Sequence, residues 1–406
     1  MIQKLARNCI PALICCLSLF PGSAQSESGQ EKTGERLELC QGNYLSEPAG
    51  KHQLADFARG CATLEQWQAR ARRVREGILK GAGLLPPPPK GALNPIVRNR
   101  REYPGYDVEN IAFESLPGFF VTGNLYLPKS GRPPFPAVLC PHGHFTYPGG
   151  GGRFRPDMQI RCATLARMGA VVLSYDMVGW GESTQTTHAH PRVLALQLWN
   201  SIRCLDYLQS RGDIDMNHIG VTGASGGGTQ SFLLAAVDER VAVSVPVVMV
   251  SAHFFGGCDC ESGMPIHRSS SHVTNNADIA ALAAPRPQLL ISCGEDWTKN
   301  TPEVEYPYIQ NIYRLYGAAD KVGNVHLAAE GHDYGPSKRA AAYKFLAKHL
   351  GLDLGLVSRE TGFEGIDESG AIIERPEMLK VFDDRTPRPP CALQTDEAIT
   401  AALTKR

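Results

Sequence analysis

The 406-residue sequence has no excess charge of either sign: 41 Lys+Arg stand against 41 Asp+Glu, a formal net charge of zero. That argues against a protein whose main business is nucleic acid or an anionic membrane surface. Charged residues are only 20% and hydrophobic ones 43%, with 41 Gly and 29 Pro, so the chain reads neither as a disordered tail nor as collagen-like. It carries no internal repeat. Beyond residue 24, no apolar run approaches the length needed to span a bilayer. What remains is a chain long enough to bury a substantial core.

The first 24 residues read as an export signal. Lys4 and Arg7 precede the short apolar run Ile10 to Phe20, and Gly22-Ser23-Ala24 offers small residues for cleavage after Ala24. A lipid anchor fits poorly, because no small residue precedes Cys15. The expectation is a secreted or periplasmic protein with no membrane attachment after cleavage. Three of the 12 cysteines fall in this segment; nine remain, so at least one thiol stays unpaired in a monomer. Cys40 and Cys61, flanking a polar segment, are the candidate disulfide. Cys140 and Cys293 lie in apolar runs and read as buried thiols. The Cys258-x-Cys260 pair lacks a second matched pair, so it reads as a loop disulfide or buried thiols rather than zinc.

Residues 25–110 are expected to form an N-terminal helical arm and linker. Thr63-Leu64-Glu65-Gln66 is a capping box, and Trp67, Ala71, Val74 and Ile78 follow at helical spacing. Gly81 and Gly83 end that helix, and Pro86 to Pro89 stiffen the linker. From 111 to 350, strands alternate with helices. Ile111–Leu116 and Phe119–Tyr126 flank a Pro117-Gly118 turn. Ala137–Cys140, Val171–Tyr175, Ile219–Thr222, Val241–Pro246, Gln288–Cys293 and Val325–Ala329 are short apolar runs. Eight strands in this setting predict an α/β fold, with a mostly parallel sheet covered by helices on both faces. Residues 351–406 are expected to form a surface extension.

Gly223-Ala224-Ser225-Gly226-Gly227 directly follows a strand and precedes a helix, the setting of a nucleophile elbow. No Lys follows the glycines, which excludes a phosphate loop. A serine needs a base, and the base a carboxylate, in the chain order Ser, acid, His. Asp296 lies 71 residues on, after the strand ending at Cys293, and His332 lies 36 residues further, after Val325–Ala329. Glu295 is the immediate neighbour and the weaker rival acid; Glu261 or Asp259, in the loop after Val241–Pro246, is the more serious one. An oxyanion hole would use the peptide N–H of Gly226 together with that of Gly143 or His144. His142-x-His144 without a third ligand is weak evidence for a metal, and none is expected.

These segments resemble the alpha/beta-hydrolase superfamily and, within it, the acetyl-xylan-esterase-like carbohydrate esterases of bacteria. The carrying residues are Leu116-Pro117-Gly118-Phe119, Val121 to Tyr126, Pro141-His142-Gly143-His144, Asp176 to Ser183, Gly223 to Gly227 and Gly294-Glu295-Asp296-Trp297. The resemblance spans about Glu65 to Leu350. It implies a serine esterase that deacetylates polysaccharide or oligosaccharide without a cofactor, or alternatively a methylesterase of uronic-acid polysaccharides. A serine peptidase, or a binding protein on an inactive scaffold, is the alternative of another class. Too few residues precede the sheet for a peptide-gating propeller, and no triad member is missing. Trp180 and Trp297, with Phe254, Phe255 and Tyr334, lie in loops where they can stack on sugar rings or simply pack. Arg153, Arg155 and Arg268 are candidates for holding a uronate carboxylate. Gly149 to Gly152 suggest a mobile lid. Oligomeric state is not legible.

Overall fold

The computed structural model describes residues 38–148 and 150–405, so the export signal lies outside the described residues. Nine strands pair into one sheet: β1 (Ile96–Tyr103), β2 (Tyr106–Leu116), β3 (Phe119–Pro128), β4 (Phe135–Pro141), β5 (Val171–Tyr175), β6 (Ile214–Ala224), β7 (Val243–Val247), β8 (Gln288–Cys293) and β9 (Val322–Leu327). Their order is β1-β2-β3-β5-β4-β6-β7-β8-β9. The β1–β2, β2–β3 and β3–β5 pairs are antiparallel, and the rest of the sheet is parallel. The central strands read as continuous apolar runs because helices cover both faces. Val138 packs into one core cluster and its neighbour Leu139 into another, as alternating strand side chains must.

Eight of these strands answer to the runs read from the sequence. The ninth, β1, reads IVRNRREY and pairs at the sheet edge, where its residues are only half-buried or exposed. Its covered face carries Arg98 and Arg101 between Ile96 and Tyr103, so the strand gives little hydrophobic signal. The sheet therefore begins before residue 111, and Arg36–Arg406 form one compact unit rather than an arm, a core and an extension.

Among the described residues the helices up to Leu350 are α1 (Glu47–Arg59), α2 (Leu64–Gly81), α3 (Pro156–Arg167), α4 (Val193–Ser210), α5 (Gly226–Val237), α6 (Asp259–Ser262), α7 (Asn276–Ala281), α8 (Glu305–Leu315) and α9 (Pro336–Leu350). The capping box at Thr63 and Gln66 starts α2. Its buried Trp67, Val74 and Ile78 join Trp199 of α4, Phe232 of α5 and Ile312 of α8 in one cluster. Cys162 and Leu165 of α3 join Tyr343 and Leu346 of α9 in the cluster that contains Val138. Cys40 and Cys61 are separate buried thiols, not a disulfide. The Cys40 Sγ sits against the Glu38 carbonyl, while Cys61 belongs to the cluster with Trp67.

The segment after Leu350 is not a surface extension. Leu379, Val381, Ile399 and Leu403 are buried. Backbone groups that continue no strand need partners, and polar side chains of the core supply them. Asn110 donates to the carbonyls of Met378 and Lys380 at 2.9 and 2.6 Å, and Asn124 donates to Leu379 O at 2.9 Å. Glu182 accepts from the amides of Val381 and Phe382.

Arg153 lies at the centre of this arrangement, which corrects its reading as a substrate ligand. Its side chain is fully buried. It donates to Leu379 O at 2.7 Å, pairs with Asp176 at 2.9 Å, and reaches Glu182 and Asn124. A guanidinium buried completely among these groups is out of a ligand's reach. Arg153→Met is expected to lower the unfolding free energy by about 3–5 kcal/mol, because two buried carboxylates lose their cation. Urea unfolding checks this; a loss below about 1 kcal/mol would show that the network carries little stability.

Candidate active site

β6 runs into α5 through a turn so tight that Ser225 takes φ 57° and ψ −124°. Few non-glycine residues tolerate positive φ, and such strain costs on the order of 1–3 kcal/mol. The flanking glycines make the turn possible. A Cβ on either Gly223 or Gly227 would lie 2.4 Å from the Pro141 carbonyl oxygen. Ser225 thus stands between the end of β6 and the start of α5, where the helix dipole favours negative charge.

The loop after β4 closes over this turn. A Cβ on Gly143 would touch both the Ser225 Cβ, at 2.9 Å, and the Phe145 ring, at 3.1 Å. His142 is fully buried, and burial pushes its imidazole down to about 4, so it is neutral at neutral pH. The Met177 amide donates to its Nε2 at 3.0 Å, so the proton sits on Nδ1, which donates to Gly143 O at 2.9 Å. That bond fixes the Gly143–His144 peptide and turns the His144 N–H to the opposite side. Among the described residues, the N–H groups of Gly143, His144 and Gly226 donate to no other group. They are open donors around Ser225.

Asp296 follows β8 and His332 follows β9. His332 Nδ1–H donates to Asp296 Oδ2 at 2.7 Å, leaving Nε2 free to accept. The other carboxylate oxygen accepts from the Thr298 amide at 2.6 Å and the Thr298 hydroxyl at 2.5 Å. Burial opposes ionisation of Asp296, but the bonds from His332 and Thr298 outweigh it and hold the carboxyl below its usual range. The His332 ring lies 5.6 Å from that of Phe145, and Phe145 shares Gly143 with Ser225 as a neighbour. No hydrogen bond joins Ser225 Oγ to His332 among the described residues. Such bonds are commonly long in a resting site and tighten with substrate.

The rival acids lie elsewhere. Glu295 is exposed. Asp259 is exposed and accepts from Gln41. Glu261 is buried, takes the Gly257 amide at 2.8 Å, and faces His144 Nδ1 at 3.6 Å rather than bonding to His332. Burial pushes its carboxyl up.

Two of the aromatic candidates wall the site. Trp297 stacks on Phe254 at 4.0 Å and lies 4.5 Å from the His332 ring. Trp180 meets the rings of His142, His144 and His188 edge-on. Phe255 stacks instead on His267, and buried Tyr334 bonds Thr222. Arg268 is exposed and pairs with Glu38, so it is not a site residue. Arg155 lines a small pocket beside the oxyanion loop with His142, Gly143, Phe145 and Tyr334; its guanidinium pairs with Asp157 at 2.7 Å and lies 5.0 Å from the Phe145 ring. Of the glycines read as a lid, Gly149 lies outside the described residues, while Gly151 and Gly152 are packed: a Cβ on Gly151 would strike Trp180, and one on Gly152 would strike His142. His142 and His144 do not converge on one centre, since His142 turns to Met177.

A serine on a strained turn, three open amides and a carboxylate-oriented imidazole can together carry out acyl transfer. No family model matches the chain. Among curated proteins, "Putative hydrolase YtaP" of Bacillus subtilis (strain 168) is 28% identical over 265 residues, 58% of this chain and 84% of the relative. A structure described as a "putative acetyl xylan esterase" from Bacteroides fragilis NCTC 9343 covers 83% of this chain and 87% of its own, at 17% identity and a TM-score of 0.51, a likeness of fold alone. Methylesterase BT1017 is 40% identical with a TM-score of 0.80, over 88% of this chain and 78% of its own. The chain accordingly belongs to the family of Methylesterase BT1017, and is a carboxylic-ester hydrolase of the alpha/beta-hydrolase fold.

Proposed function

We propose that the protein hydrolyses the methyl esters of uronic-acid residues in a polysaccharide or oligosaccharide. The observation that carries this reading is the 40% identity to a methylesterase across nearly the whole described chain. A methyl ester within a carbohydrate requires a sugar carboxyl group, which makes the substrate a uronate. Arg155, paired with Asp157 and packed beside Phe145, is our candidate cation for a neighbouring free uronate. Trp297 and Trp180 offer faces for the sugar rings. The N-terminal signal read from the sequence puts this activity outside the cytoplasm. No helix among the described residues is long and apolar enough to cross a membrane.

In this reading His332 Nε2 takes the Ser225 proton as Oγ attacks the ester carbonyl. The oxyanion accepts hydrogen bonds from Gly226 and from Gly143 or His144. Protonated His332 then gives its proton to departing methanol and afterwards activates water to clear the acyl-enzyme. Asp296 orients His332 and stabilises its charge. Deacetylation, the first expectation from the sequence, uses the same machinery and differs only in which side of the ester is sugar. Proton NMR of the protein incubated with methyl-esterified and with acetylated plant polysaccharides separates the two. Methanol is the expected product. Acetate without methanol would replace this reading with the deacetylase, and neither product would remove both.

A further inference from the structure

Beside the proposed oxyanion loop, four soft donors from three separate loops meet. His144 follows β4, His188 follows β5, and Cys258 and Cys260 follow β7. One donor atom from each lies within 4.8 Å of all the others. His144 Nε2 is 3.0 Å from His188 Nε2 and 3.0 Å from Cys260 Sγ, and Cys258 Sγ is 3.2 Å from His188 Nε2. A tetrahedral zinc site with ordinary Zn–N and Zn–S bonds has ligand–ligand edges of about 3.3–3.8 Å. Opening the cluster by about half an ångström would seat the ion at those bond lengths.

The surroundings support the same centre. His188 Nδ1 donates to the Val178 carbonyl at 2.6 Å, so its Nε2 bears a lone pair directed inward. His144 turns Nδ1 toward buried Glu261 at 3.6 Å, and the Gly257 amide anchors that carboxylate. Metal-bound histidines commonly have this outward partner, a carbonyl or a carboxylate. The result is two imidazole lone pairs and two sulfurs facing one another at about 3 Å. Such acceptors repel unless protons or a cation lie between them. Both cysteines are free thiols. Two thiolates with two imidazoles make the donor set of a closed structural zinc site, with no open position for water.

We propose that His144, His188, Cys258 and Cys260 bind one thiolate-preferring divalent ion of the zinc class, which ties the three loops together at the rim of the active site. Binding releases the two thiol protons to solvent and needs no redox partner. The ion does not take part in ester chemistry. It fixes the His144 side chain, whose own peptide N–H is an open donor beside Ser225, so the four ligands are positioning residues.

The test is metal content, read independently of esterase activity. Protein purified without chelator is dialysed into metal-free buffer and analysed by inductively coupled plasma mass spectrometry. One zinc per chain is expected. After stripping, cobalt(II) is expected to bind with one-to-one stoichiometry and to show thiolate-to-cobalt charge transfer with the visible bands of a tetrahedral ion. Cys258→Ser/Cys260→Ser should abolish both signals. If that variant does not fold, His188→Asn should do the same, since its amide can still donate to Val178 O. The proposal is overturned if stripped wild-type protein binds no cobalt. It is also overturned if the variants bind as the wild type does, or if mass spectrometry of the unstripped protein finds Cys258 joined to Cys260 with no metal present. Failure of this site would leave the methylesterase reading untouched, and failure of methanol release would leave the metal content unchanged.

Discussion

Ser225→Ala is expected to lower kcat by on the order of 10⁶-fold while leaving the fold intact. The hydroxyl is the atom that would become acylated, and neither His332 nor the open amides can replace it. Alanine keeps the Cβ and therefore the same strained φ of 57°, so its unfolding midpoint should match that of the wild type. Ser225→Gly should be equally inactive yet more stable by about 1–3 kcal/mol, because glycine occupies positive φ without a clash. Activity assays and urea unfolding of the two variants read the two effects separately. Retained turnover in the alanine variant would remove Ser225 as nucleophile. A glycine variant no more stable than alanine would show that the turn stores no strain.

Asp296→Asn is expected to lower kcat by about 10⁴-fold. An amide NH₂ in place of the Oδ2 that accepts from His332 would favour the wrong tautomer and turn Nε2 into a donor. Thr298 grips the other oxygen from its amide and its hydroxyl, so the substituted side chain should keep its place and the loss should come from proton placement. Glu261→Gln is the matched control, because that carboxyl faces His144 rather than His332. Its kcat should change by less than about tenfold. If Asp296→Asn stayed nearly active while Glu261→Gln was dead, the acid assignment would move to Glu261.

How legible the molecule was can be argued residue by residue. The parallel core was readable because segments such as Val171–Tyr175 are apolar at nearly every position, as strands buried on both faces must be. The edge strand Ile96–Tyr103 was not, because arginines hold two of its four half-buried positions and break the apolar alternation. The elbow was visible because its geometry demands small residues on both sides of Ser225. Asp296 and His332 were found because each stands just past a strand end, where this topology gathers its loops. Arg153 was misread for an instructive reason. From composition, an arginine in a Gly-rich loop is a surface cation, and only the tail folding back with Leu379 and Val381 turns it into a buried post.

By itself, then, the sequence determined eight of the nine strands of the sheet, the elbow and the order of the proposed triad, since each depends on local pattern or chain order. The tertiary structure alone decided that Asp296 rather than Glu261 touches His332, that the C-terminal segment is sealed onto the core, and that His144 meets His188 and two cysteines. Those contacts join positions from 36 to 270 residues apart, and no spacing rule in a single chain reports which loops meet once a sheet has brought its strand ends to one edge.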